Sequence, residues 1–328
     1  MVVRHLKYTI ASGTNQSAAY INIPKDLSAI NRQLFRQARM YKIKSLTVVD
    51  NDQEKFVQVG IAPDSWAMRN AVKRAFSRYN EMNDQVLLEQ PSLKARWSDF
   101  KPYLSKRHYD AEQGTAGTVE TPEDMNANNL QYGEWTYSVF ESPDGTSSVD
   151  GYEVCILGGH LGNPGNYQLV GLINSYGDAR GTVNLTEPLV NPTAASDDPL
   201  VNLLDAGTQF DEVAENIMLH GDRPPYANSS NPGFDYPGSR NNMPEELMIA
   251  EFNSSSTTEG VQRIFGFNAP LGIIRLDHST TSGSTNFTVI VEVAEGSYKG
   301  VHSEPLVDAR SQTWASPSKG GKTTKRIG

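Results

Sequence analysis

The sequence holds a single cysteine, Cys155, in 328 residues. One thiol excludes an internal disulfide and any cysteine-rich metal site, and it suits a chain that folds in a reducing compartment. Long apolar runs are also missing. None approaches the ~18 residues a membrane-spanning helix needs, so no membrane partner is expected. The opening MVVRHLKYTI leads into polar residues and not into an apolar stretch with a cleavage site, so a secretory leader is not expected either. There is no GxxxxGKS/T phosphate loop, no GxSxG elbow, no HExxH and no EF-hand pattern. The six histidines, His5, His108, His160, His220, His278 and His302, never fall three or four apart, which leaves a local metal cluster without support.

Acidic side chains outnumber basic ones 38 to 29, for a formal charge of −9. The surplus is unevenly distributed. Residues 1–110 carry 18 basic and 10 acidic side chains, residues 111–318 carry 7 and 28, and residues 319–328 carry 4 and none. A chain polarised in this way can turn one side toward a polyanion while the other stays solvated.

Most periodic segments read as strands. Residues 2–11, 41–50, 55–62, 132–140, 152–159, 167–176, 263–276 and 286–294 are rich in β-branched and aromatic residues, and several alternate apolar with polar. No regular helix alternates with them. The expected fold is therefore mainly β, an antiparallel eight-stranded jelly-roll sandwich with one long helix and long inter-strand loops or an insertion. The helix is expected over 64–90. There Met68, Val72, Ala75, Tyr79, Met82 and Val86 form one stripe, widened by Phe76, with Asp64 or Ser65 as the cap and Pro91 as the stop.

The organisation that follows has a first part of the sandwich at 1–176, an acidic loop insertion or protrusion at 177–261, closing strands at 262–310 and a flexible basic tail at 311–328. Residues 111–130 are acidic and small, and are expected to be exposed and mobile. Within 177–261 a short helix is expected around Phe210, Val213, Ala214 and Ile217, capped by Gly221. Asp197 and Asp198, with Asp205, Asp211 and Glu212 nearby, are candidate oxygen ligands for Ca²⁺, the competing reading being a solvated acidic loop.

Basic residues carry the main functional signal. Arg32, Arg36, Arg39, Lys42 and Lys44 follow one another without an acid, and the helix adds Arg69, Lys73, Arg74 and Arg78. Arg69 lies near the positive end of the helix dipole, which disfavours a cation by ~0.3–1 kcal/mol unless an anion answers it. A solvated helix face explains these four nearly as well as a phosphate surface does. The tail ending SPSKGGKTTKRIG weighs more, because Lys319, Lys322, Lys325 and Arg326 are interspersed with Gly320 and Gly321. Such a segment can neutralise phosphates without fixed geometry, giving salt-sensitive binding that reads no sequence. No groove-reading element accompanies it, which suits a shell subunit better than a regulator.

Four stretches in order, LSAINRQLFRQARMYKIKSLTV (27–48), SWAMRNAVKRAFSRYNEMND (65–84), ARWSDFKPYL (95–104) and NIMLHGDRPPY (216–226), resemble capsid proteins of small circular single-stranded DNA viruses that encode a replication-initiation protein. The resemblance implies a single jelly roll and no enzymatic activity. It also implies self-assembly into an icosahedral shell around a single-stranded DNA genome, in a virion assembled inside the host cell, the nucleus being one candidate compartment. Many such proteins begin with an arginine-rich arm, whereas this chain has only Arg4 and Lys7 near its start. Genome contact would then fall to the tail and to the 32–44 and 69–78 clusters.

Two other classes stay open. Tyr132, Trp135 and Tyr137 in one strand would suit a carbohydrate-binding or attachment sandwich, since exposed aromatics stack on sugars. His160, in the loop GGHLGNPG, would suit a hydrolase if an acidic partner stood beside it.

Overall fold

The computed structural model describes residues 2–50, 55–130, 133–143, 149–163, 166–181, 246–253, 260–281 and 285–306. The candidate helix near 210–217, the candidate Ca²⁺ ligands and the basic tail lie outside them.

In β1 (His5–Ser12) exposed and buried residues alternate strictly, with Leu6, Tyr8 and Ile10 pointing inward. After β2 (Ser17–Asn22), the Asn22 side chain accepts the Lys25 N–H at 3.2 Å and opens α1 (Ile23–Asn31), with Pro24 in its first turn. The chain continues through β3 (Arg39–Asp50) and β4 (Lys55–Ile61) into the long α2 (Trp66–Glu89). Ser65 caps α2 through the Met68 N–H at 3.2 Å, and a 3-10 turn at Pro91–Ala95 ends it. Next come α3 (Lys106–Glu112), β5 (Thr118–Val119), β6 (Val139–Pro143), β7 (Val149–Cys155), β8 (Leu161–Asn163), β9 (Asn166–Gly171) and α4 (Leu172–Gly181). Four longer strands and a short one follow: β10 (Leu247–Asn253), β11 (Gly260–Pro270), β12 (Ile273–Thr280), β13 (Thr285–Val293) and β14 (Ser303–Pro305).

Three sheets result. The first runs β1-β13-β3-β11, with β14 beside β3; the second runs β10-β4-β12-β2-β5; the third runs β6-β7-β9-β8. Pairing in the first two is antiparallel apart from the short β2–β5 contact, so the fold is mainly β and antiparallel. The pairs are nested: β1 with β13, β2 with β12, β3 with β11, and β4 with β10.

The first core lies between the first two sheets. Leu6, Tyr8, Leu46, Val289 and Val291 meet Ile21, Val57, Val59, Ile274 and Leu276 there. A second core covers the outer face of the second sheet, where Tyr20 and Ile273 join Met68, Val72, Phe100, Ile156 and Ile173. The end of β2 and the start of β12 are thus buried on both faces. α2 packs by Ala67, Met68, Ala71, Val72 and Ala75, then rises away from the core, leaving Leu88 81% exposed. No helix among the described residues is long and apolar enough to cross a membrane.

Several segments differ from the sequence expectation. Residues 263–276 are two strands, because Leu271 and Gly272 turn back with φ of 60° and 66°. Only glycine fits the second position, since a Cβ there would lie 2.5 Å from Pro24 Cδ. The segment 167–176 is a strand only to Gly171, whose added Cβ would meet the Gly158 carbonyl oxygen at 2.1 Å; α4 begins at the next residue. Among the described residues of 132–140 only Val139 and Phe140 belong to a strand. Residues 111–130 are largely exposed, as expected, but are tied to the strands around Glu120 and Glu123. Glu120 N–H donates to the Tyr20 carbonyl at 2.8 Å, Glu123 N–H to the Lys7 carbonyl at 2.8 Å, and Lys7 Nζ reaches Glu123 at 2.9 Å. Ala111 and Val119 add apolar contacts to the second core. The end of the acidic segment 177–261 also joins the sandwich, as β10.

Candidate nucleic-acid interface

Among the described residues the fold assigns most of the expected cations to contacts within the chain. Arg39 lies 3.8 Å over the Tyr298 ring and donates to the Ser303 hydroxyl at 3.0 Å and carbonyl at 2.7 Å, tying β14 to β3. Arg69 makes two bonds to Asp64, at 2.6 and 2.8 Å, which supply the anion that its place in the first turn of α2 demands. Arg74 donates to the Ser175 carbonyl at 2.8 Å and joins α2 to α4, while Arg78 pairs with Glu81 at 2.6 Å on the exposed face. Lys73 is half-buried on the same helix. Arg69 and Arg74 are thus engaged within the chain, while Arg78 stays on the exposed face. Lys319, Lys322, Lys325 and Arg326 lie outside the described residues.

Arg32 and Arg36 have a different setting. Arg32 ends α1 in the left-handed region, φ 55°, exposed and without a carboxylate at ion-pair distance among the described residues. It lines a groove of about 1000 Å³ bounded by α1, the far half of α2, and the stretches 96–101 and 133–138. Arg36 reaches toward Asp99 in its wall, at 3.8 Å. Two hydrogen bonds bring the last two stretches together: Lys101 N–H donates to the Ser138 hydroxyl, and Ser138 N–H to the Lys101 carbonyl, both at 2.9 Å. As a result Trp97 and Trp135 face each other with centroids 6.5 Å apart, tilted by 43°.

Lys101 is only 8% exposed, and its Nζ lies 5.2 Å from the Trp97 centroid and 4.7 Å from that of Trp135. Burial pushes this ammonium below its ordinary pKa, against the pull of Asp99 and Glu134. Beside it Asp99 accepts the Gln37 N–H at 2.8 Å on one oxygen, while the other has no hydrogen-bond partner among the described residues. Burial outweighs that bond and the neighbouring Arg36 and Lys101, and pushes the carboxyl up to about 6.

Behind the groove a buried polar network sets its floor. Tyr137 donates to Glu112 at 2.6 Å, Lys25 reaches the same carboxylate at 3.4 Å, and the Tyr103 ring stacks on Tyr137 at 3.9 Å. His108 accepts the Leu104 N–H on Nδ1 at 3.1 Å, and burial followed by the Lys25 charge depresses its pKa to about 3, so the ring stays neutral. Tyr137 is buried, so the row of exposed rings that suggested sugar stacking is not formed; Tyr132 lies outside the described residues. His160 does have an acidic neighbour, Asp178 at 3.2 Å. Its Nδ1 accepts the Gly171 N–H at 3.1 Å, which leaves the neutral ring's proton on Nε2 facing Asp178. Through these contacts, and Asn174 Nδ2 at 2.9 Å from Nε2, the ring ties α4 to β9.

Lys25, Arg96, Trp97, Lys101 and Trp135 were absent from the expected interface. The interleaving of Arg96, Trp97 and Lys101 in ARWSDFK is the sequence signal that points to them. Comparison with family models, with curated proteins and with solved structures finds no match.

Proposed function

We propose that this chain is a viral coat protein: a jelly roll whose copies close into an icosahedral shell around a single-stranded DNA genome, held by basic residues. The nested strand pairing carries the reading. Taking β1–β4 and β10–β13 as eight strands, the first pairs with the last, the second with the seventh, the third with the sixth and the fourth with the fifth. The same strands form two facing sheets. A long hairpin rolled in this manner is the topology of the double-sheet jelly roll, an architecture that recurs in capsid subunits and also in lectins. Topology alone does not choose between them. The charge distribution favours the shell, because a basic first third and a cationic tail suit an enclosed polyanion, and an acidic remainder suits an outer surface.

Purified protein examined by negative-stain electron microscopy should form closed spherical particles. Monomers at every ionic strength would overturn the reading. Deleting 316–328 should lower the A260/A280 ratio of the particles while the sandwich stays folded, and an unchanged ratio would remove the tail from genome packaging.

A further inference from the structure

We propose that the groove at Trp97, Lys101 and Trp135 is a docking site for unpaired nucleotides, with Lys101 holding a backbone phosphate and the indoles receiving a base. The inference rests on the coat-protein reading for the source of the strand, but its chemistry is set by the groove.

Lys101 carries the argument. The residue is only 8% exposed and lines the groove, and its amino group has neither a hydrogen-bond acceptor nor a carboxylate at ion-pair distance among the described residues. The packed stem ends in an ammonium with three donors, and two indole faces answer its charge without accepting those hydrogens. An anion with several oxygens, entering from the groove, fits these donors. The Trp135 Nε1–H is buried and unpartnered beside it, a further donor among the described residues.

The rest of the groove narrows the ligand from an anion to a nucleotide strand. A space of about 1000 Å³ is more than a lone phosphate needs. Trp97, Trp135 and Tyr79 give its wall aromatic surface, and base stacking on such rings does not depend on sequence. Arg32 lies further along it as a contact for a neighbouring phosphate. The acids in the wall are largely accounted for: Glu134 pairs with Arg96 at 3.5 Å and Asp99 lies 3.8 Å from Arg36. Glu141 stands at the far end, shared with a second groove along α2. A duplex keeps its base faces stacked on one another, so the strand must be single.

The test is a titration of the full chain with a short oligothymidylate, followed by tryptophan fluorescence. A Trp314→Phe background keeps the tail's own indole from contributing. Saturable quenching is expected, with affinity falling as salt rises. Lys101→Met keeps the packed stem and removes the charge, and should weaken binding about 10-fold. Exposed Arg32→Ala, which leaves the fold untouched, should reduce the steepness of the salt dependence by about one phosphate contact. Trp97→Leu should abolish most of the quench, whereas Trp66→Phe should leave the affinity unchanged.

Unaltered binding in both Lys101→Met and Arg32→Ala would overturn the proposal. So would quenching by a neutral oligosaccharide in place of the oligonucleotide, which would make the groove a glycan site. Particles that form without any quench would refute the groove alone. Quenching by a protein that never forms particles would uphold the groove and refute the shell.

Discussion

Replacing Asp99 with asparagine is expected to stabilise the protein at neutral and alkaline pH. Asp99 is 5% exposed, and burial raises its pKa from 3.8 to about 6 despite the Gln37 N–H, Arg36 and Lys101. The folded state therefore holds a proton more tightly than the unfolded chain does. Above about pH 6 the carboxyl is ionised in both states, and the native protein bears the whole cost of a buried charge. As pH falls from there toward 3.8 the native state takes up the proton first, and this site's contribution to stability rises. The gap between the two values corresponds to at most about 3 kcal/mol. In Asp99→Asn the amide oxygen still accepts the Gln37 N–H, and no charge is buried. The variant should exceed the parent by up to about 3 kcal/mol at pH 8, with the advantage shrinking through pH 6 and vanishing near pH 4. Urea unfolding at these pH values measures it through the transition midpoint. A variant less stable than the parent at pH 8, by an amount that does not change with pH, would show that Arg36 and Lys101 outweigh desolvation and would refute the reasoning.

Gly272→Ala puts a methyl group into Pro24 at a positive φ, so a loss of about 2 kcal/mol or more and a lower melting temperature are expected. Ser65→Ala removes the α2 cap and should cost about 1 kcal/mol by chemical denaturation. Tyr137→Phe leaves Glu112 without its 2.6 Å donor at the groove floor, and a loss of about 1–3 kcal/mol is expected, read as a shifted unfolding midpoint.

How much of this could be read beforehand depended on how each element is buried. β1, β3, β4 and β13 each show alternation, because one face meets the core and the other meets polar surroundings. α2 was legible from its stripe and its stops at Ser65 and Pro91. β12 merged with β11 because its first four residues are all buried, which erases the alternation, and because Leu271-Gly272 is not a usual turn pair. In 167–176 a continuous apolar run could not separate strand from helix, and a backbone contact at Gly171 decides it. β2 and α1 escaped because SAAYIN and IPKDLSAIN are short and weakly patterned. The groove was hidden for another reason. Arg32 belonged to a visible basic run, but the paired indoles arise only when Lys101 and Ser138, 37 residues apart, bond to each other.

The nested pairing also governs how the protein can be made. β1 to β4 emerge early in synthesis, yet their partners β10 to β13 begin only at Leu247, 186 residues beyond Ile61. At ribosomal speeds that interval lasts roughly ten to forty seconds. Throughout it four strands have unclaimed hydrogen-bonding edges and half of an interior. Yield during expression should thus respond to whatever shields nascent chains, such as lower temperature or holding chaperones, more than to the ruggedness of the finished protein.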